Sequence, residues 1–153
     1  MKRNNLLPLF AALCALVLAG CSTFEASVKP GTDLSKYRRV WVKSNMNDNR
    51  GIGNFICVAL RARGIECDMG PLTMLPHNMQ AIISFNDSWA GDYQGHMSGL
   101  TLSLKDVRID FPIATATYTG HASFKKQPHE IADRLVGKLF DENPDARNQG
   151  QGK

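Results

Sequence analysis

The stretch HMSGLTLSLK, residues 96–105, decides the fold because it alternates between apolar and polar side chains. Leu100, Leu102 and Leu104 share one parity, and threonine, serine and lysine take the other. A period of two is typical of a strand with one buried face, since successive side chains point to opposite faces of a sheet. The stretch therefore predicts a strand that covers a core on one side.

The same alternation returns over residues 113–124, where Ala114, Ala116 and Tyr118 alternate with threonines. We expect these two strands to pair as a hairpin. Three further strands are predicted upstream from β-branched and aromatic content or from short alternation. They cover residues 37–43, 65–68 and 81–89.

Two segments have the period of a helix instead. From Ile52 the apolar residues recur on one face as far as Leu60, and Gly64 gives a stop. From Pro128 a second apolar face runs until an Asn-Pro pair ends it. The order β-α-β-β-β-β-α predicts an α+β domain, with both helices on one face of a largely antiparallel or mixed sheet.

The N-terminus has the layout of a secretory signal. Two cations precede an apolar run over residues 6–17, which is too short for a good membrane-spanning helix. The run leads into Leu-Ala-Gly-Cys at 18–21, which looks like the bacterial lipobox. We therefore predict a signal peptide over residues 1–20 and lipid on Cys21. An ordinary signal peptide with a chance cysteine is the alternative.

The remaining chain divides by composition. Residues 21–36 are mostly polar with one Pro-Gly turn, which predicts a lipidated tether. Residues 37–143 form the predicted α+β domain, and the polar residues 144–153 are predicted to be a disordered tail. Ser22 is compatible with sorting outward. We therefore expect an outer-membrane protein, anchored by its lipid, whose domain faces the periplasm.

The charge does not predict a nucleic-acid partner. Removing residues 1–20 takes away Lys2 and Arg3 and lowers the formal net charge from +4 to +2. The remaining charges of both signs are interspersed, whereas nucleic-acid-binding domains usually carry a clustered basic face.

Cys57 and Cys67 are a candidate pair, because Cys14 leaves with the signal peptide and Cys21 is expected to be acylated. The envelope is oxidising, which favours a disulfide. From Cys57 to Gly64 is roughly 10 Å of helix, and from Gly64 to Cys67 is roughly 10 Å of strand, so a returning strand brings the two level. We predict the bond. Two buried free thiols are the alternative.

Six short stretches carry a resemblance to known proteins: 32–37, 40–42, 81–85, 100–106, 116–122 and 138–140. They resemble a broad group of small bacterial envelope lipoproteins, most of them of unknown function. The layout is more distantly similar to the domain of polysaccharide and curli export lipoproteins and of lipoprotein activators of cell-wall synthases. That resemblance implies binding or assembly. The chain lacks the membrane-inserting hairpins of the export proteins, which argues against a pore.

The histidines do not predict a metal site or a cofactor. By parity, His96 points inward and His121 outward, unless a bulge intervenes. His77 lies in a loop and His129 at a helix start, without a histidine four residues away. There is no Gly-x-Ser-x-Gly elbow either, and Cys57 lies near the apolar face of its helix. We expect no catalytic residues and no enzyme activity.

The loop over residues 45–51 has three open interpretations. It vaguely resembles a calcium loop, but amides stand where carboxylates would bind the ion. Its junction with the first helix could offer backbone N–H groups to an anion, although no phosphate-binding lysine motif accompanies it. An Asn/Gly-rich turn that caps the helix is the third.

The tip over residues 87–96 places Trp89 and Tyr93 on a polar, Gly-rich turn. Two large aromatics there could stack on sugars or anchor a protein. We mark both as partner-binding residues, with the alternative that Trp89 only ends the core.

These observations favour a noncatalytic envelope module for interaction or assembly, whose partner is an envelope protein or a polysaccharide. A ring-forming accessory lipoprotein of an export machine, and thus an oligomer, is the alternative. A cell-wall or polysaccharide hydrolase is a third hypothesis, and it would need paired carboxylates in a cleft.

Overall fold

The structure, a computed structural model, describes residues 22–91, 95–120 and 126–142. The predicted signal peptide, Cys21 and the predicted tail over 144–153 lie outside the described residues. The elements in chain order are β1 Thr23–Val28, β2 Arg39–Lys43, α1 Ile52–Ala62, β3 Glu66–Gly70, a short 3-10 helix Leu72–Met74, β4 Ala81–Ala90, β5 His96–Asp106, β6 Ala114–Thr119 and α2 Pro128–Phe140.

The six strands form one mixed sheet in the order β1-β6-β5-β4-β2-β3. β2 pairs in parallel with β3 and β4, and the other pairs are antiparallel. The predicted hairpin is β5 and β6, in which Leu102 lies opposite Ala116. The α+β class is confirmed, and so is the predicted element order from residue 37 onward.

The main core lies between the sheet and the two helices. Leu100, Leu102 and Leu104 are buried there together with Leu60 of α1 and Leu135 of α2, so both helices cover the same face. This buried parity is the one that the alternation in β5 predicts.

The prediction of a tether over residues 21–36 is wrong, because residues 23–28 form β1. This strand lies at the sheet edge and pairs with β6 along six residues, with Phe24 opposite Tyr118 and Ala26 opposite Ala116. The Phe24 and Tyr118 ring centroids are 4.7 Å apart. An edge strand buries little, so its polar residues carry no penalty and its sequence resembles a linker. The domain therefore begins well before residue 37.

The opposite face of the sheet is open and mostly hydroxylated. Serines and threonines from four strands stand in rows across it, such as Ser27, Thr115, Ser103 and Ser84. At the β2 end these rows give way to a second apolar cluster, which is buried. It contains Trp41, Met79 and Ile82.

α1 is fixed to its surroundings at both sides. The Cys57–Cys67 disulfide, with Cα atoms 5.3 Å apart, joins it to β3. Beyond its last turn, Arg63 reaches α2, where its guanidinium contacts Asp133 at 2.6 Å and Asp141 at 2.8 Å. The helices are thus tied to each other and to the sheet edge.

Within the described ranges, no helix has the length and apolar character needed to cross a membrane.

Candidate functional site

Trp89 lies at the end of β4, where a bulge changes the pairing with β5. Ser88 lies opposite Gly99, but Trp89 lies opposite Met97, so Ser98 is the extra residue. The bulge turns Met97 into the core, where it is 3% exposed. Trp89 packs against the edge of that core and stays partly exposed.

His96 does not follow the inward direction expected for an unbroken register, because a bulge intervenes. Parity holds only while the register is unbroken, and the bulge shifts it by one residue before His96 is reached. His96 pairs with Ala90 and remains partly exposed. His121 and Tyr93 lie outside the described residues.

Arg50, in the loop before α1, contacts Trp89 and Gly95. Its guanidinium carbon lies 3.7 Å from the centroid of the Trp89 ring, and its Nη1 donates to the carbonyl oxygen of Gly95 at 3.2 Å. On the other side, the Trp89 Nε1 donates to an Asp87 carboxylate oxygen at 2.5 Å. A cation over an indole face is attracted by the ring quadrupole, so this stack holds Trp89 against the loop before α1.

A cleft of about 350 Å³ opens beside this stack. Its walls come from Trp89 and the start of β5 on one side and from the start of α2 on the other. Three cationic or titratable side chains border it, namely Arg50, His96 and Lys126. A partner that contacts Trp89 would bind in this cleft. Partner binding by Trp89 stays a prediction.

The N-terminus of α1 carries its own carboxylate. Asp48 accepts from the backbone N–H groups of Ile52 and Gly53, both at 2.8 Å. These are the donors that a bound anion would use at a helix start. Of the interpretations of the 45–51 loop, the capping turn is the one that the structure shows. It acts through Asp48, because Gly51 at the cap position has no side chain.

The start of α2 is capped as well. The Gln127 backbone N–H donates to Glu130, and the two residues form a reciprocal capping box with Pro128 at the first helical position. The donors at this helix start are therefore partly engaged, and the charge of the cleft comes from the side chains at its rim.

Sequence reasoning missed a buried carboxylate at the end of β5. Asp106 is 2% exposed and accepts from the Tyr37 hydroxyl at 2.9 Å and from the Arg108 Nη2 at 2.9 Å. The Arg108 backbone N–H also donates to it. The hydrogen bonds from Arg108 hold the pKa of Asp106 well below its usual value, although burial alone would raise it.

The pKa of Tyr37 shifts in the opposite direction. Burial, together with its hydrogen bond to the Asp106 carboxylate, raises the pKa of Tyr37 to about 12. The hydrogen bonds among Tyr37, Asp106 and Arg108 connect the segment before β2 to the turn after β5. No sequence pattern indicates it, because the partners are 69 residues apart.

A second surface was also not predicted. Met46, Pro71, Leu72 and Phe85 line a groove of about 580 Å³ beside the end of β2 and the middle of β4. Met46 is 99% exposed. The sequence indicates only loops here, and no periodicity distinguishes these apolar residues from others.

The candidate metal residues do not come together among the described ranges, where no three His, Cys, Asp or Glu side chains could share an ion. His129 lies at the start of α2 with its ring 6.0 Å from that of Phe55. His77 lies in the turn after the 3-10 helix.

Comparison with solved structures gives a fold likeness. The chain is similar to the PelC dodecamer from Paraburkholderia phytofirmans, with a TM-score of 0.54 and 20% sequence identity, over 78% of this chain and 94% of that one. A point variant of the same dodecamer, in a second crystal form, matches over the same shares with a TM-score of 0.52 and 20% identity. No family model matches the chain, and no curated protein matches its sequence. At this identity the likeness establishes the fold.

Proposed function

We propose that this protein is an oligomeric, ring-forming accessory lipoprotein of an export machine in the bacterial envelope. Lipid on Cys21 anchors it at the outer membrane with its domain in the periplasm. It acts by assembling with further copies and by contacting an envelope protein or a polysaccharide.

The fold likeness to the two PelC dodecamers carries this proposal. The likeness spans 94% of those chains, so the domain is matched nearly end to end. The lipobox at 18–21 and the sequence resemblance to export lipoproteins agree with it. A noncatalytic module that acts as a monomer is the alternative, and oligomeric state separates the two.

The absence of catalysis is part of the proposal. Asp106 is the one buried charged residue among those described, and its two oxygens accept hydrogen bonds from Tyr37 and Arg108. A carboxylate held ionised in this way is a poor general acid or base near neutral pH, because its pKa lies far below that range.

Native mass spectrometry of the mature, lipidated protein released from detergent micelles tests the proposal. We expect a closed oligomer at micromolar concentration, because cyclic assemblies bury the same surface on every copy. The heat-denatured protein serves as the monomer control. A monomer as the dominant species would contradict the assembly function.

A further inference from the structure

The two edges of the sheet are protected to different degrees. At the β3 edge, Arg61 donates through Nε and Nη2 to the Cys67 carbonyl oxygen, at 3.1 and 2.6 Å. The disulfide at Cys67 also joins this strand to α1. An edge whose carbonyl is already engaged offers less to an added strand.

The β1 edge has little of the usual protection. Its only charged residue is Glu25, it contains no proline, and its register with β6 is unbroken over six residue pairs. Among the described parts of the chain, no strand pairs with its outer side. Charges, prolines and bulges are the features by which edge strands normally avoid further pairing.

The register fixes which backbone groups of β1 point outward. The Lys29 N–H donates to the Ile113 carbonyl oxygen at 2.8 Å, continuing the β1–β6 pairing. In an antiparallel pair alternate residues exchange hydrogen bonds with their partner, so Ser27 and Glu25 also direct their backbone toward β6. The N–H and C=O groups at positions 24, 26 and 28 therefore point away from the sheet.

We propose that β1 pairs antiparallel with β1 of a second copy of this chain, about a two-fold axis at Ala26. In that register Ala26 lies opposite Ala26 of the second copy, and Phe24 lies opposite Val28. All three positions direct their backbone groups outward in both copies, so each hydrogen-bonding group meets a partner. The two sheets join into one of twelve strands.

Like charges near β1 do not meet in this arrangement. Glu25 lies opposite the hydroxyl of Ser27, so the two carboxylates are not juxtaposed. Lys126 and Arg134 lie over the Phe24 ring, at 4.8 and 4.3 Å from its centroid. Because the strands run in opposite directions, the cations of the two copies come to opposite ends of the pair.

The proposal rests on the proposed function only in requiring further copies of the chain. A two-fold contact alone gives a dimer, and a ring needs a second kind of contact between copies. The two ideas can therefore fail separately.

Cysteine cross-linking of the full-length protein in the envelope tests the register. In a hydrogen-bonded antiparallel pair the two Ala26 Cα atoms are roughly 5.5 Å apart, which is within disulfide range. For Ser27 the same axis gives roughly 8 Å, which is too far. We compare Ala26→Cys with Ser27→Cys on nonreducing gels after thiols are blocked. The unsubstituted protein is the control for background.

We expect Ala26→Cys to give at least about fivefold more cross-linked dimer than Ser27→Cys, because only its Cα separation permits the bond. Glu25→Cys combined with Ser27→Cys should also cross-link, since these positions oppose each other across the axis, while each single variant should not. Equal yields for Ala26→Cys and Ser27→Cys, or none for Ala26→Cys and the double variant, would overturn the proposal.

Taken with the native mass, these outcomes separate the two proposals. A large oligomer without the Ala26 cross-link supports the assembly function and contradicts the proposed β1 contact. A dimer that is cross-linked at Ala26, with no larger species, supports the β1 contact and contradicts the proposed ring. A monomer without any cross-link contradicts both.

Discussion

At the residue scale, Asp106 is a charged side chain buried in the core, among the residues that the structure describes. It occupies an inward position at the end of β5, where Leu100, Leu102 and Leu104 precede it on the same parity. Alternation predicts only that the position is buried. Tyr37 and Arg108 make burial of a charge tolerable by supplying the hydrogen bonds, and the alternation indicates neither partner.

We predict that Asp106→Asn lowers the free energy of unfolding by about 1–3 kcal/mol at pH 7, because it weakens charge-assisted hydrogen bonds to a buried group. The lower part of this range is expected, since the Arg108 side chain is 79% exposed and solvent screens its pair. Urea denaturation measures the change. Asp110→Asn is the control, because Asp110 is fully exposed and pairs only with Lys105 among the described residues.

The same substitution should flatten the acid limb of stability. A depressed pKa in the folded state stabilises the fold above the unfolded value of about 3.9, and the contribution is lost as pH falls through the folded value. Between pH 5 and pH 2, roughly the window in which an unfolded aspartate takes up its proton, the unsubstituted protein should therefore lose more stability than Asp106→Asn. Equal losses in the two proteins would contradict this account.

At the element scale, strands with one fully buried face were predictable and the edge strand was not. β5 is recognisable because each of its apolar residues is needed by the core. β1 buries only parts of Phe24 and Val28, so its sequence is free to be polar. The bulge at Ser88–Trp89 was equally hidden, and it reversed the direction predicted for His96. Sequence alternation predicts direction only along an unbroken register.

The disulfide between α1 and β3 gives the second stability prediction. Replacing Cys57 and Cys67 together by alanine should lower the free energy of unfolding by about 3 kcal/mol on the chain-entropy model, because the bond closes a short loop in the unfolded chain. Denaturant melts of the oxidised protein and the double variant measure it. Reduction of the unsubstituted protein under denaturing conditions is the matched control for loss of the bond without a change in packing.

A difference below about 0.5 kcal/mol would show that the bond does not constrain the unfolded chain and that packing alone holds β3 against α1. Cys67 is 4% exposed and Cys57 is 2% exposed, so the alanine variant also loses some buried volume. The reduced protein keeps that volume, and the comparison separates the two contributions.

At the scale of the whole molecule, the sheet has one face covered by helices and one that is open. Its open face carries rows of hydroxyl side chains that give way near β2 to the buried cluster around Trp41. Its β1 edge begins two residues after the predicted lipidation site. Because residues 23–28 form a strand rather than a tether, the expected geometry of anchoring changes. The first strand, rather than a flexible linker, follows Cys21 almost directly, so an acyl chain there would hold the sheet edge close to the bilayer.

The fold also explains which residues of the candidate site could be predicted from the sequence. Trp89 was singled out because a large aromatic in a polar turn is conspicuous. Arg50 was not, because the stack joins a loop before α1 to the end of β4, far apart in the chain. Contacts between distant segments decide which exposed residues form a surface. Neither the hydrophobic period nor the composition of the sequence indicates such contacts.

The predicted outer-membrane address gives the last prediction. In many Gram-negative bacteria an aspartate after the lipidated cysteine retains a lipoprotein in the inner membrane, and this chain has Ser22 there. We expect the unsubstituted protein in the outer-membrane fraction of a density gradient and Ser22→Asp mainly in the inner-membrane fraction. Ser22 precedes β1 and lies outside every strand, so the substitution should leave the fold unchanged. Ser22→Thr is the matched control and should fractionate like the unsubstituted protein. Recovery of the unsubstituted protein in the inner membrane, or in the soluble periplasm with Cys21 unmodified, would contradict the location and with it the anchoring geometry argued from β1.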